Sequence, residues 1–170
     1  MIRRFGEAVI SGQTYQRRPG VYAVLMRDGD VLLTHQAEPI PEVQLPGGGI
    51  DPGESPVQAL HREVLEETGW RISLRRRLGV YRRFTYMPDY DKWAEKICMI
   101  YLARPVLCYG PPSEPGHTAL WMQAGAAVKA LDNAGDRHFL RSVVLRSVVL
   151  GSVVLGGVVL GGVDLRALVR

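Results

Sequence analysis

A glycine-rich turn leads directly into a segment with three closely spaced glutamates, and this combination restricts the fold more than any other part of the chain. The turn is Pro46–Gly49. Ser55 and Pro56 then favour a helix start, because serine caps helix N-termini and proline suits the first helical turn. Gly69 is a typical C-terminal stop, so the predicted helix ends at Thr68.

On this helix the three glutamates share one face. Glu63 and Glu67 are four residues apart and Glu66 is three from Glu63, which brings their carboxylates to neighbouring positions. Like charges at this spacing repel each other, and a bound cation removes that cost. Carboxylate oxygens suit Mg²⁺, which leaves its other positions to water and substrate phosphates. An isolated group of this kind is also typical of a solvated acidic helix face.

The wider spacing, over residues 48–70, resembles the Nudix box. The box pattern is Gly, five residues, Glu, seven residues, then Arg-Glu-hydrophobic-x-Glu-Glu-x-Gly-hydrophobic. Every specified position is filled here, by Gly48, Glu54, Arg62, Glu63, Val64, Glu66, Glu67, Gly69 and Trp70. Such a match is far more specific than a lone glycine motif. The flanking segments Gln44–Gly48 and Trp121–Met122 extend the resemblance to roughly residues 18–140.

The resemblance implies a Mg²⁺-dependent hydrolase, with Mn²⁺ as an alternative metal. Its reaction would cleave a pyrophosphate linkage in a nucleoside diphosphate joined to another group. The metal ligands that it implies are Glu63, Glu66, Glu67 and the carbonyl of Gly47. Glu54 and Gly48 would lie one layer further from the metal, and Arg62 would orient a glutamate as part of the catalytic group. A non-catalytic Nudix-fold module that binds a nucleotide is the alternative, and the intact acidic box argues against it.

The general base has two candidates. Some members of the family use a box glutamate, for which Glu63 is the match, and others use a glutamate on a loop before the last strand. Glu114 is placed in that second way, within a proline-rich loop at residues 109–117. Glu114 is therefore a predicted catalytic residue, with an exposed loop charge as the alternative interpretation.

Substrate-selecting residues are predicted in residues 81–95, which are rich in aromatic and charged side chains. Aromatic faces can stack on a base and arginines can bind phosphate, so Trp93, Arg83 and Tyr86 are predicted substrate-binding residues. Alternatively, the aromatic residues at 81–86 belong to a strand with one face in the core. The resemblance leaves the small-molecule substrate open among dinucleoside polyphosphates, nucleotide sugars and ADP-ribose, and an RNA 5′ end is a further candidate.

Cysteine and histidine usage favours no other kind of site. Cys98 and Cys108 can form neither a disulfide framework nor a zinc site, and reduced thiols fit a cytoplasmic protein. No apolar run long enough for a signal peptide follows the basic pair near the N-terminus. No pair of histidines has metal-ligand spacing, and we predict no site role for His35, His61, His117 and His138.

The order of elements predicts an α/β fold, a Nudix-type α/β/α sandwich with a mixed β-sheet. Besides the helix of the box, a second helix is expected at residues 124–131, and Asp28-Gly29 favours a tight hairpin turn. Strands are predicted at residues 21–26, 31–35, 42–45, about 78–86, about 96–103, and 120–122.

Composition divides the chain into a Nudix domain at residues 1–140 and a low-complexity C-terminal extension at residues 141–170. The extension repeats Val-Val-Leu units every five residues, resembles short pentapeptide-type repeats, and is predicted to be poorly ordered with no catalytic part. Its uncharged run at residues 147–163 is shorter than the roughly 20 residues of a spanning helix, so no membrane association is expected. The sequence leaves the oligomeric state and the number of metal ions open.

Overall fold

A mixed sheet of eight strands organises residues 2–154, the part of the chain that the computed structural model describes. Its central path runs β1-β6-β7-β2-β3-β4, while β5 pairs with β2 and β8 with β3. The β1–β6 and β2–β7 pairs are parallel, and the others are antiparallel. The strands are β1 Arg3–Gly6, β2 Gln16–Arg27, β3 Asp30–Gln36, β4 Glu42–Gln44, β5 Gly47–Gly49, β6 Trp70–Met87, β7 Lys92–Cys108 and β8 His117–Gln123.

Helices cover both faces of this sheet. They are α1 Pro56–Thr68, α2 Ala124–Ala130 and α3 Ala134–Val154, with a short 3₁₀ turn at Pro88–Tyr90. Side chains alternate along a strand, so β2 contributes to two cores. The core beneath α1 includes Val21, Ala23, Leu25, Ala59, Leu60 and Val64. The core beneath α2 and α3 includes Tyr22, Val24, Ala127, Val128, Leu140 and Val143. The predicted α/β/α sandwich with a mixed sheet is therefore confirmed.

One hairpin agrees with the sequence prediction, and another has longer strands than predicted. Asp28 and Gly29 both have positive φ, 54° and 90°, which is the turn geometry that Asp-Gly favours between two strands. Strands β6 and β7 are longer than predicted, because their pairing extends from Trp70 opposite Cys108 to Met87 opposite Lys92. Register shifts interrupt this ladder around residues 74–79, where three successive arginines also break the alternation of apolar side chains.

The domain boundary predicted after residue 140 falls inside α3. Val143 and Val144 are buried in the core beneath α2 and α3, so the first repeat unit of the predicted extension packs against the sheet. Near the start of α3 the buried Asp136 accepts hydrogen bonds from the Tyr81 hydroxyl, at 2.7 Å, and from the Leu45 N–H, at 3.3 Å. The last part of that extension, residues 155–170, lies outside the described residues, and its predicted structure stays a prediction.

No helix within residues 2–154 combines the length and the apolar character needed to cross a membrane.

Candidate functional site

Both ends of α1 are fixed by local hydrogen bonds. At the N-terminus the Ser55 hydroxyl accepts from the Gln58 N–H at 3.3 Å, and the Gln58 side chain accepts from the Ser55 N–H at 3.0 Å. At the C-terminus Gly69 has φ of 74° and donates its N–H to the Leu65 carbonyl at 2.8 Å. A Cβ at Gly69 would strike the Gly110 carbonyl oxygen, so the close passage of the following loop requires glycine here.

Glu67 is the most buried carboxylate of the box, with its side chain 4% exposed. Its Oε2 accepts the N–H of Gly47 at 2.8 Å, and its Oε1 lies 3.3 Å from Nδ1 of His117. Burial raises the pKa of Glu67 well above its usual value, because the charged form is poorly solvated. A cation at this carboxylate would offset the cost of keeping it ionised.

Arg62 connects the remaining acidic residues of the box. Its guanidinium donates two hydrogen bonds to Glu54, at 3.0 and 2.8 Å, and single bonds to Glu63 at 2.9 Å and Glu66 at 3.1 Å. A further bond reaches the Gly49 carbonyl at 3.1 Å. These contacts lower the pKa of Glu54 and raise that of Arg62. Arg62 is therefore in contact with three of the four glutamates of the box.

Two glycines of β5 let the helix approach the sheet. A Cβ at Gly48 would lie 2.6 Å from Cδ of Glu63, so glycine leaves room for that carboxylate in its observed position. Burial raises the pKa of Glu63, against the opposing effect of Arg62. Gly47 has φ of 139°, and its N–H is the group that binds Glu67. The structure thus brings the glycine turn and the box glutamates together.

The loop before β8 is tied to the C-terminal end of α1. The N–H groups of Ser113 and Glu114 both donate to the Glu66 carbonyl, at 2.8 and 3.0 Å, and the Tyr109 N–H donates to the Gly69 carbonyl at 2.9 Å. These bonds satisfy carbonyls that a helix end leaves without partners. They also carry the Glu114 side chain to the box, although it lies nearly fifty residues further along the chain.

The acidic side chains form two overlapping groups that could hold a metal ion. Glu63, Glu66 and Glu114 make one group, and Glu67, Glu114 and His117 make the other, with the ligand atoms of each within 4.8 Å of one another. Glu114 belongs to both. Oxygen donors packed this closely fit a hard divalent cation, and the neutral imidazole fits as an additional ligand.

His117 was missed by sequence reasoning, which assigned it no site role. It is the first residue of β8, three after Glu114, and its side chain is 7% exposed. Burial lowers the pKa of His117, which favours its neutral form. Its separation of three residues from Glu114 was the one sequence feature that could have suggested a role in the site. The contact with Glu67 is visible only once β8 packs against β3 and α1.

A cleft of about 720 Å³ extends from the glutamates across the sheet. Of the predicted substrate-binding residues, Arg83 and Tyr86 line it. Arg83 is already paired with Glu42, at 2.9 and 3.4 Å. The cleft wall also includes Tyr90, a residue that sequence analysis did not select.

Trp93 does not line this cleft. Its ring packs against the rings of Tyr15 and Tyr86, with centroids 5.9 and 5.4 Å apart. The cross-strand register places Trp93 directly opposite Tyr86, so these two aromatic side chains cover each other. Tyr86 therefore lines the cleft, whereas Trp93 lies outside it.

Comparison with known proteins gives a family match over most of the chain. A family model described as NUDIX domain matches residues 16–143. Over 64 residues the chain is 39% identical to a Bacillus subtilis (strain 168) protein provisionally named 8-oxo-dGTP diphosphatase, covering 38% of this chain and 43% of that protein. Over 57 residues it is 42% identical to an RNA pyrophosphohydrolase of Helicobacter pylori (strain G27), covering 31% of this chain and 37% of that protein. The matches span less than half the length of these curated relatives.

Solved structures show the same architecture. A NUDIX hydrolase from Nitrosomonas europaea aligns with a TM-score of 0.60 at 22% identity, covering 74% of this chain and 86% of that chain. A MutT NUDIX hydrolase from Burkholderia pseudomallei aligns with a TM-score of 0.52 at 27% identity, covering 74% and 96%. At such identities the structural similarity supports the fold alone.

Proposed function

Because this chain belongs to the Nudix family, whose domain model matches residues 16–143, we propose that it hydrolyses a pyrophosphate linkage in a nucleoside diphosphate joined to another group. The observation that carries the proposal is the cluster of Glu63, Glu66, Glu67 and Glu114, which shares three of its four carboxylates with the lining of one cleft. We further propose Mg²⁺ as the metal, since hard oxygen donors and a need for open coordination positions are typical of it.

The donor set of the described residues fits such an ion. Glu67 is buried, and among the described residues its polar partners are the backbone N–H of Gly47 and the imidazole of His117, neither of which is a permanent cation. The proposed ligands are Glu63, Glu66, Glu67 and the carbonyl of Gly47, with Glu114 and His117 close enough to join them. When bound, Mg²⁺ supplies charge neutralisation for the pyrophosphate and a lower pKa for an attacking water.

The remaining box residues hold this arrangement in place. Arg62 acts as a positioning residue, because four hydrogen bonds from its guanidinium fix Glu54, Glu63 and Glu66 relative to one another. Gly48 leaves space for the Glu63 carboxylate, and Glu54 forms an ion pair with the Arg62 guanidinium at 2.8 Å. Preorganised groups of this kind lower the reorganisation needed during the reaction.

Glu114 is our proposed general base. Glu63, the other candidate, already accepts a hydrogen bond from Arg62 at 2.9 Å, so one of its carboxylate oxygens is engaged. Among the described side chains Glu114 has no hydrogen-bond partner, and its backbone is fixed to α1, so a free carboxylate faces the cleft.

Glu114→Gln is expected to lower kcat by roughly 10²-fold, the usual contribution of a general base, with little change in KM. Steady-state kinetics over a Mg²⁺ titration would measure this effect. A matched substitution at Glu7, another exposed carboxylate that lines the cleft, should leave kcat within about twofold. If Glu114→Gln instead raises the half-saturating Mg²⁺ concentration with kcat intact, Glu114 is a metal ligand and not the base.

Arg83 and Tyr86 are the proposed substrate contacts from the sheet side of the cleft, and Tyr90 joins them. Arginine presents a planar cation for phosphate, and the tyrosine rings offer faces for a base. Trp93 is not included, since its ring is covered by Tyr86.

The experiment that tests the function is a substrate panel at fixed Mg²⁺, with products separated by chromatography. Its members are nucleoside triphosphates, dinucleoside polyphosphates, nucleotide sugars, ADP-ribose and 5′-triphosphorylated RNA, the last because some relatives are named RNA pyrophosphohydrolases. We expect cleavage at a pyrophosphate linkage, complete loss of turnover in excess chelator, and recovery on adding Mg²⁺. Binding of a nucleotide with no cleavage of any member would favour the non-catalytic module instead.

A further inference from the structure

Three cations lie side by side across the sheet floor of the cleft. Arg18 of β2 is directly opposite Lys96 of β7, and Lys96 is directly opposite Arg83 of β6. Opposed residues of neighbouring strands project to the same face, and all three residues line the cleft. We call this set the cation row. Like charges in such positions destabilise a sheet, so the row costs folding free energy.

Nearby acidic groups compensate only part of this charge. Glu42 pairs with Arg83, at 2.9 and 3.4 Å, and the guanidinium of Arg18 lies 4.8 Å from the ring centroid of Tyr90. Lys96 forms no ion pair with any carboxylate in the part of the chain that the structure describes. Among the described residues, Arg83 is therefore the member of the cation row that has a carboxylate partner, and Lys96 at its centre has none.

Among the described residues, the other carboxylates near this end of the cleft form no ion pair with Lys96. Asp132 accepts the Val43 N–H at 2.8 Å, and Asp136 is buried beneath Tyr81. Glu7 lines the cleft as an exposed side chain. Lys96 itself is half-buried, and both its burial and the charge of Arg83 lower the pKa of its ammonium group. An anion entering the cleft would relieve each of these costs.

We propose that the cation row, centred on Lys96, binds a phosphate group of the substrate other than the pyrophosphate held at the glutamate cluster. The preferred substrate then carries a chain of three or more phosphates. Nucleotide sugars and ADP-ribose have only the two phosphates of the scissile linkage and leave the row unfilled. This inference rests on the proposed function, because it places the scissile pyrophosphate at the glutamates.

Its first test measures binding alone, so that it does not depend on turnover. Inorganic tripolyphosphate is titrated by calorimetry into the full-length protein in excess chelator. Lys96→Gln is expected to weaken its binding by roughly tenfold, as for the loss of one charge-assisted contact. Lys96→Arg should restore most of the affinity. Lys92→Gln is the matched control, because Lys92 lies on the same strand and outside the cleft. Equal affinity in wild type and Lys96→Gln, or no binding by wild type, would overturn the proposal.

The second test compares substrates in the presence of Mg²⁺. For Lys96→Gln we expect KM to rise roughly tenfold for ATP, a dinucleoside tetraphosphate or 5′-triphosphorylated RNA, and to stay within about twofold for ADP-ribose. Comparing the three long-chain substrates shows which source of the oligophosphate is used. A rise of equal size for ADP-ribose contradicts the proposal. If tripolyphosphate binds as expected but no substrate is cleaved, the proposed hydrolase function is contradicted, while phosphate binding by the cation row is supported.

Discussion

Glu67→Gln is expected to reduce kcat/KM by on the order of 10³-fold or more, which corresponds to about 4 kcal/mol of transition-state stabilisation. Glutamine has the same shape, and its amide oxygen can still accept the Gly47 N–H that now binds Glu67 at 2.8 Å. It removes the negative charge that the proposed metal requires. Because burial disfavours that charge, the free energy of unfolding should not fall in the absence of metal.

Glu95→Gln provides the control for this variant. The Glu95 side chain is 16% exposed and pairs with Arg17 and Arg82, outside the cleft. Turnover at saturating Mg²⁺, with circular dichroism to verify folding, should therefore change by less than about threefold in the control. Full activity of a folded Glu67→Gln protein would rule out metal-assisted hydrolysis at this cluster.

Gly47→Ala is the substitution for which we expect the largest loss of stability, on the order of 4 kcal/mol. Gly47 has φ of 139°, which side chains rarely adopt, and its added Cβ would lie 2.6 Å from the Tyr22 Cα and strike the Val21 carbonyl oxygen. These are backbone atoms of β2, a central strand, so they cannot move aside without disturbing the sheet. Urea unfolding followed by circular dichroism would measure the loss.

Gly49→Ala supplies a matched comparison two residues away. A Cβ added at Gly49 would meet no atom of the described residues within 4 Å, and Gly49 does not have positive φ, so its replacement should cost less than about 1 kcal/mol. Similar unfolding midpoints for the two variants would show that β5 can shift away from β2, contrary to the tight approach of Gly47 to that strand.

The parts of the site that sequence predicted are those set by helical spacing. Arg62, Glu63, Glu66 and Glu67 lie within a single turn or two of α1, so their separation along the chain determines their relative positions in space. The same holds for Asp28-Gly29, whose turn is decided by two adjacent residues. Local geometry of this kind needs no knowledge of the remaining fold.

Cross-strand register explains what sequence could not predict. Lys96 meets Arg18 and Arg83 only because β7 lies between β2 and β6 in one particular alignment, and a shift by one residue would turn Lys96 to the other face. Trp93 was selected for its aromatic character, yet the same alignment covers it with Tyr86. For α3, a five-residue period gives no helical stripe, and contact with the sheet determines which valines are buried.

The attachment of the loop that carries Glu114 determines which residues near the site can vary. It is fastened at two points to one helix end, through Tyr109 to the Gly69 carbonyl and through Ser113 and Glu114 to the Glu66 carbonyl. The backbone that carries this carboxylate is therefore held against the helix that bears the other acidic residues. Side chains of the loop between these two attachment points can therefore be replaced without changing the distances among the acidic residues.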